Sequence, residues 1–197
     1  MRSTRLASAV LFALASLMLI PVTESKGQAP APAGSRPPLA IRKIDGNKEP
    51  TPVYSTKGPA ATARARDWFR VYIEYDTEVE WIDELNMTFY VLVKGRTKDV
   101  APYTLFKGET SYIHIQMGKK HVADMFLHPN LIARYGDVER VAVEVRQGGR
   151  VIERAGKPAL TSPWWEQLSP VTGALVDRSR SPFSLIDIDA FELIKQP

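Results

Sequence analysis

An all-β domain, an immunoglobulin-like antiparallel two-sheet sandwich with one or two short helical turns, is predicted by three features of this sequence. The first is strict alternation: Met87, Phe89, Val91 and Val93 fall on one face of the stretch Trp81–Gly95, with Asn86, Thr88, Tyr90, Leu92 and Lys94 on the other, the period of two of a half-buried strand. Phe69, Val71, Ile73 and Tyr75 repeat the pattern. The second is the turn spacing, above all Gly148-Gly149 between two alternating runs, because both glycines accept positive φ at little cost. The third is that helix signals last only a turn. Seven to nine short strands with such punctuation favour a sandwich over a barrel or an α/β layer.

At the start, Arg2 and Arg5 precede an uncharged apolar run, Leu6–Ile20, closed by Pro21. That order reads as a secretory signal over residues 1–25, and the run is short of the ~20 residues that span a bilayer; an uncleaved N-terminal anchor is the alternative. Residues 26–38 hold four prolines and no large apolar side chain, a stiff linker that cannot build a core. The sandwich is expected over 39–197. There is no cysteine, which removes disulfides, thiolate metal sites and a lipidated cysteine together. The formal charge of +4 is spread without blocks of one sign, so neither a nucleic-acid footprint nor a polybasic membrane stripe is present.

Leu39–Ile44 reads as a first edge strand, ended by a turn at Asp45-Gly46-Asn47, and a loose loop follows to Ala65. Phe69–Asp76 is the next strand. With 76–80 as the connection, it would pair antiparallel with the strand entered at Trp81. Asp83 and Glu84 are neighbours and so point to opposite faces, unlike an acid/base pair. Further on, Tyr103–Phe106, Ser111–Met117 and His121–Leu127 are extended runs separated by turns at Lys107-Gly108 and Gly118-Lys119-Lys120. Ile113, Ile115 and Met117 would share one face. His121, Asp124 and His128 would line one side of a helix, but in strands the three histidines, His114 included, match no metal pattern, so no metal and no cofactor is expected.

His128–Gly136 carries helix punctuation, Pro129 near its start and Gly136 at its end. Val141, Val143 and Val145 alternate, and Gln147-Gly148-Gly149 turns them back onto Arg150–Arg154; without a Lys-Ser/Thr and a following helix these glycines are no phosphate cradle. Ser162-Pro163-Trp164-Trp165-Glu166 reads as a helix start. Two tryptophans in one turn point in different directions, so one can be buried and the other partly exposed; Trp164, Trp165 and Trp81 are the candidate interaction residues. The serines of the C-terminal quarter lack a Gly-x-Ser-x-Gly context, and no catalytic residue is assigned. The expected core is Phe69, Val71, Ile73, Met87, Phe89, Val91, Ile113, Val143 and Val145.

Trp81-Ile82-Asp83-Glu84-Leu85, Asp124–Asn130, Arg134–Glu139, Trp164-Trp165 and Ser181-Pro182-Phe183 together resemble the immunoglobulin-like, pilus-associated proteins encoded with type IV pilus machinery in Verrucomicrobia, over residues 39 to 195. The resemblance implies an exported sandwich serving a pilus or surface assembly, and brings no catalytic residues. The chain lacks the Gly-Phe processing site and the early glutamate of pilins proper, which favours an accessory component over the polymerising subunit. The expectation is a non-catalytic envelope or surface protein, periplasmic, outer-membrane-associated or at the cell surface, whose partners are pilus or envelope proteins or a copy of itself. It would touch the membrane only through an uncleaved N-terminal segment. The alternative is a secreted carbohydrate-binding or adhesion module using Trp81, Trp164, Trp165, Tyr72 and Tyr90 as stacking faces.

Overall fold

The computed structural model describes residues 37–53 and 64–196; the expected leader and nearly all of the linker lie outside them. The frame is one very long antiparallel hairpin, β2 (Asp67–Lys94) and β3 (Tyr103–Leu127), paired from Phe69↔Leu127 to Lys94↔Tyr103. It folds over at irregularities between Tyr75 and Trp81, so that its two halves supply the centres of two facing layers. In the first layer, β1 (Leu39–Pro50) pairs with the early half of β2, and β7 (Leu175–Asp177) with the end of β3. In the second, β4 (Asp137–Gln147) pairs with the late half of β2, and β5 (Arg150–Lys157) with β4. β6 (Pro170–Thr172) and β8 (Leu193–Ile194) patch the opposite edge of β3. The result is an all-β sandwich.

Val71, Ile73, Tyr75, Ala123, Met125 and Leu127 from the first layer pack against Met87, Phe89, Val91, Val93, Phe106, Val143 and Val145 from the second. Each large side chain so buried is worth about 1.5–3 kcal/mol. Of the expected core, Phe69 and Ile113 are only partly buried. Ile113 is displaced because His114 adopts φ 55°, which resets the alternation: Tyr112 and Ile115 turn inward, and Met117 is 58 % exposed instead of sharing their face.

The expected separate strands around 76–80 are one strand. No Gly, Pro or Asn lies between Asp76 and Glu80, so the chain has nothing with which to reverse and instead kinks within the ladder. Three of the expected turns are likewise strand interior, and their glycines make room. A Cβ on Gly46 would come within 2.3 Å of the Phe69 ring, one on Gly108 within 2.6 Å of Met125 Cε and 2.8 Å of the Leu175 carbonyl, and one on Gly118 within 2.7 Å of His121 Nε2. Gly108 therefore sets how closely the two layers approach. Gly148 and Gly149, with φ of 55° and 80°, do form a turn.

The helical turn before β4 is α1 (Pro129–Tyr135): His128 caps it, its Nδ1 accepting from the Asn130 N–H at 3.1 Å, and Gly136, at φ 129°, donates its N–H to the Ile132 carbonyl at 3.1 Å. The expected helix at Ser162 is a single 3-10 turn, Trp164–Gln167, entered from Pro163 with no side-chain cap. Pro170 follows too soon for it to continue. Among the described residues no helix is long and apolar enough to cross a membrane.

Candidate interaction surface

Each layer has an outer face, and an irregular segment covers each. Over the second layer, Trp165 stacks face to face on Tyr90 at 4.8 Å, and Trp164 meets Trp165 edge-on at 5.4 Å. Together with Leu160 they close over Leu92, Leu105 and Ala142. Trp165 is buried and Trp164 half-buried, the division expected of two tryptophans in one turn. Their first job is packing. Burial pushes the Tyr90 hydroxyl up to about 12. Beside them the buried Glu144 receives Arg146 at 2.5 Å on Oε1 and Arg154 at 2.6 Å on Oε2. Burial alone would push its carboxyl up, but hydrogen bonds and charge from the two guanidiniums hold it below its ordinary value.

Trp81 is different. It is 56 % exposed, opposite Gln116 at the bend of the hairpin. Nine residues of extended chain, ~30 Å, separate it from Tyr90, so the structure does not bring Trp81 to the Trp164-Trp165 pair. Met117 lies at the same bend, and Leu193, 60 % exposed, pairs with Ile113 nearby on β3.

Over the first layer the cover is the C-terminal segment, and its anchor is ionic. Asp124, with a fully buried side chain, takes Arg70 Nε at 2.9 Å and Arg178 Nη2 at 2.5 Å on Oδ2, and Arg178 Nε at 3.2 Å on Oδ1. Arg178 also donates to the carbonyls of Phe183 and Ile186, at 3.0 and 3.1 Å, and lies over the Phe191 ring at 3.5 Å. Phe183 stacks on Phe126 at 4.6 Å. One buried guanidinium thus fixes the path of residues 178–191. Two further pairs hold the tail: His121 Nδ1 with Glu192 at 2.6 Å, and Lys195 with Glu84 at 2.8 Å. Asp177 caps the first turn; burial would raise its carboxyl, yet Ser179 and Arg180 hold it below the ordinary range.

Held in this way, the segment presents Leu185 at 71 %, Ile188 at 56 % and Ile186 at 38 % exposure. Sequence reasoning missed this surface, and with it Arg178, Asp124 and Glu144. The alternation in Ser184-Leu185-Ile186-Asp187-Ile188-Asp189 reads as a short extended piece, whereas the chain here forms consecutive turns with Asp187 at φ 49°.

The histidines do not converge. His114 is exposed at its positive-φ position, His121 sits between Glu192 and Thr77, and His128 caps α1 with its ring 4.7 Å from Trp68. Among the described residues no group of three or more His, Cys, Asp or Glu side chains could hold a metal. Asp83 is exposed, while Glu84 is held by Lys195 and Asn86.

No curated protein matches the chain. A crystal structure of a protein from Akkermansia muciniphila superposes with a TM-score of 0.69 at 20% sequence identity, over 81% of this chain and 93% of that one, which establishes a shared fold. A protein-family model matches residues 32–197, and the chain belongs to that family.

Proposed function

We propose that this protein is a non-catalytic, exported component of the cell envelope or surface that acts through protein contacts, as an accessory or assembly component of a type IV pilus-like system. One observation carries the reading: large aliphatic side chains at 185, 186 and 188 are exposed on a backbone held from beneath by a buried ion cluster. Exposed apolar groups of this kind mark interaction surfaces, and a fixed backbone lowers the ordering cost of binding. The buried charged groups Asp76, Asp124, Glu144, Asp177 and Arg178 are all occupied with one another or with neighbouring arginines and serines, which supports a structural use of charge. The carbohydrate-binding alternative is weaker. Trp165 and Tyr90 cover each other, and Lys43 and Arg70 sit over the ring of Tyr72, so the five aromatics make no stacking row.

Affinity capture from native cell envelopes should recover pilus or secretin components with the wild-type chain and lose them with Leu185→Ser/Ile188→Ser. Recovery unchanged by that substitution, or normal pilus assembly and surface binding in a deletion strain, would count against the proposal.

A further inference from the structure

Next to the exposed turn lies a groove of about 560 Å³, walled by Pro52, Val53, Trp68 and Pro182 and rimmed by Arg64 and Arg66. The turn and the groove are complementary twice over. The turn offers Leu185, Ile186 and Ile188 with Asp187 and Asp189 between and beside them; the groove offers an apolar floor and two guanidiniums. Among the described residues none of these four charged side chains makes an ion pair.

The turn cannot fill its own groove. Pro182 is part of the groove wall, Phe183 is stacked on Phe126, and Arg178 holds the carbonyls of Phe183 and Ile186, so the chain leaves the groove and is pinned before it could fold back. Two complementary patches side by side on one surface are what a two-fold axis between copies requires, because each copy then gives its turn and receives the other's. We propose that the protein forms a symmetric dimer in which the Leu185–Asp189 turn of each copy enters the groove beside Trp68 of the other, with Asp187 and Asp189 against Arg64 and Arg66. This rests on the reading that the protein works through protein contacts, and it names a second copy of the chain as one such partner.

Sedimentation velocity of the full chain across a concentration series tests it. The wild type should show a reversible monomer–dimer equilibrium. Arg64→Glu/Arg66→Glu and Asp187→Lys/Asp189→Lys should each weaken it by ~10-fold or more, since each turns two attractions into repulsions at both contacts. An equimolar mixture of the two variants should restore dimers, because both contacts in the mixed pair are again attractive. All four positions are exposed, and Lys120, at φ 61°, shows that lysine is accommodated in the backbone region Asp187 occupies. A wild type that stays monomeric, dimers indifferent to the reversals, or a mixture that fails to recover would overturn the proposal. If the wild type is monomeric yet captures envelope components through Leu185 and Ile188, the dimer is wrong and the broader function stands.

Discussion

The two outer faces of this sandwich are covered by segments of similar size held in opposite ways. Over the second layer the cover is aromatic: Trp165 lies flat on Tyr90, and the buried Glu144 sits beside them with both guanidinium partners still reaching solvent. Over the first layer the cover is pinned by a buried carboxylate, Asp124, whose partner Arg178 also hydrogen-bonds the covering backbone. An aromatic lid is held by area and dispersion, which tolerate small displacements. A guanidinium bonded to two carbonyls and one carboxylate fixes direction as well as distance. The first arrangement buries Trp165 and half-buries Trp164, while the second can hold Leu185 and Ile188 out in water. That contrast links the chemistry of each cover to the use of its surface.

The largest effect should come from breaking the ionic cover. Asp124→Ala leaves Arg70 and Arg178 without their common carboxylate, and unfolding titrations should show a loss of about 3–5 kcal/mol. Trp165→Ala should cost about 3 kcal/mol, with the 178–191 segment undisturbed; equal disruption of both covers by this one substitution would show that they are not independent. Gly108→Ala probes the spacing between the layers, because the new methyl meets the Leu175 carbonyl as well as flexible Met125. Chemical denaturation should register a loss of about 1–3 kcal/mol. The smallest effect is electrostatic. Glu144 is held below the ordinary carboxylate range when folded, so its contribution is complete above that range and is lost as the pH falls through the depressed folded value. Glu144→Gln should flatten part of the acid limb of a stability–pH curve, and an unchanged acid limb would remove Glu144 from the account.

Alternation made much of this fold legible. Val71, Ile73, Met87, Phe89, Val91, Val143 and Val145 all face the core as their spacing predicts, because a strand with one dry face has little freedom in which residues to bury. What misled was glycine. Gly46, Gly108 and Gly118 look the same in sequence as Gly148 and Gly149, yet the former yield space to Phe69, Met125 and His121, and only the latter turn the chain. The distinction depends on what stands across the sheet or across the core, which no local window contains. Arg178 was invisible for the same reason: Asp124 lies 54 residues away, and nothing near either residue marks them as partners. Trp81 and Trp164-Trp165 were legible as aromatic features, but only tertiary packing determines that Trp165 is buried and Trp81 exposed.

Hydrogen exchange along residues 178–191 of the intact chain tests the central claim most directly. The amides of Ser184, Ile186, Ala190 and Phe191, each bonded within the segment, should be protected in the wild type despite the exposed side chains around them, and should lose that protection together in Arg178→Gln while Trp165 and its surroundings keep theirs. Exchange of these amides at unprotected rates in the wild type would mean that the apolar turn is not held by its buried guanidinium, and the account would fail.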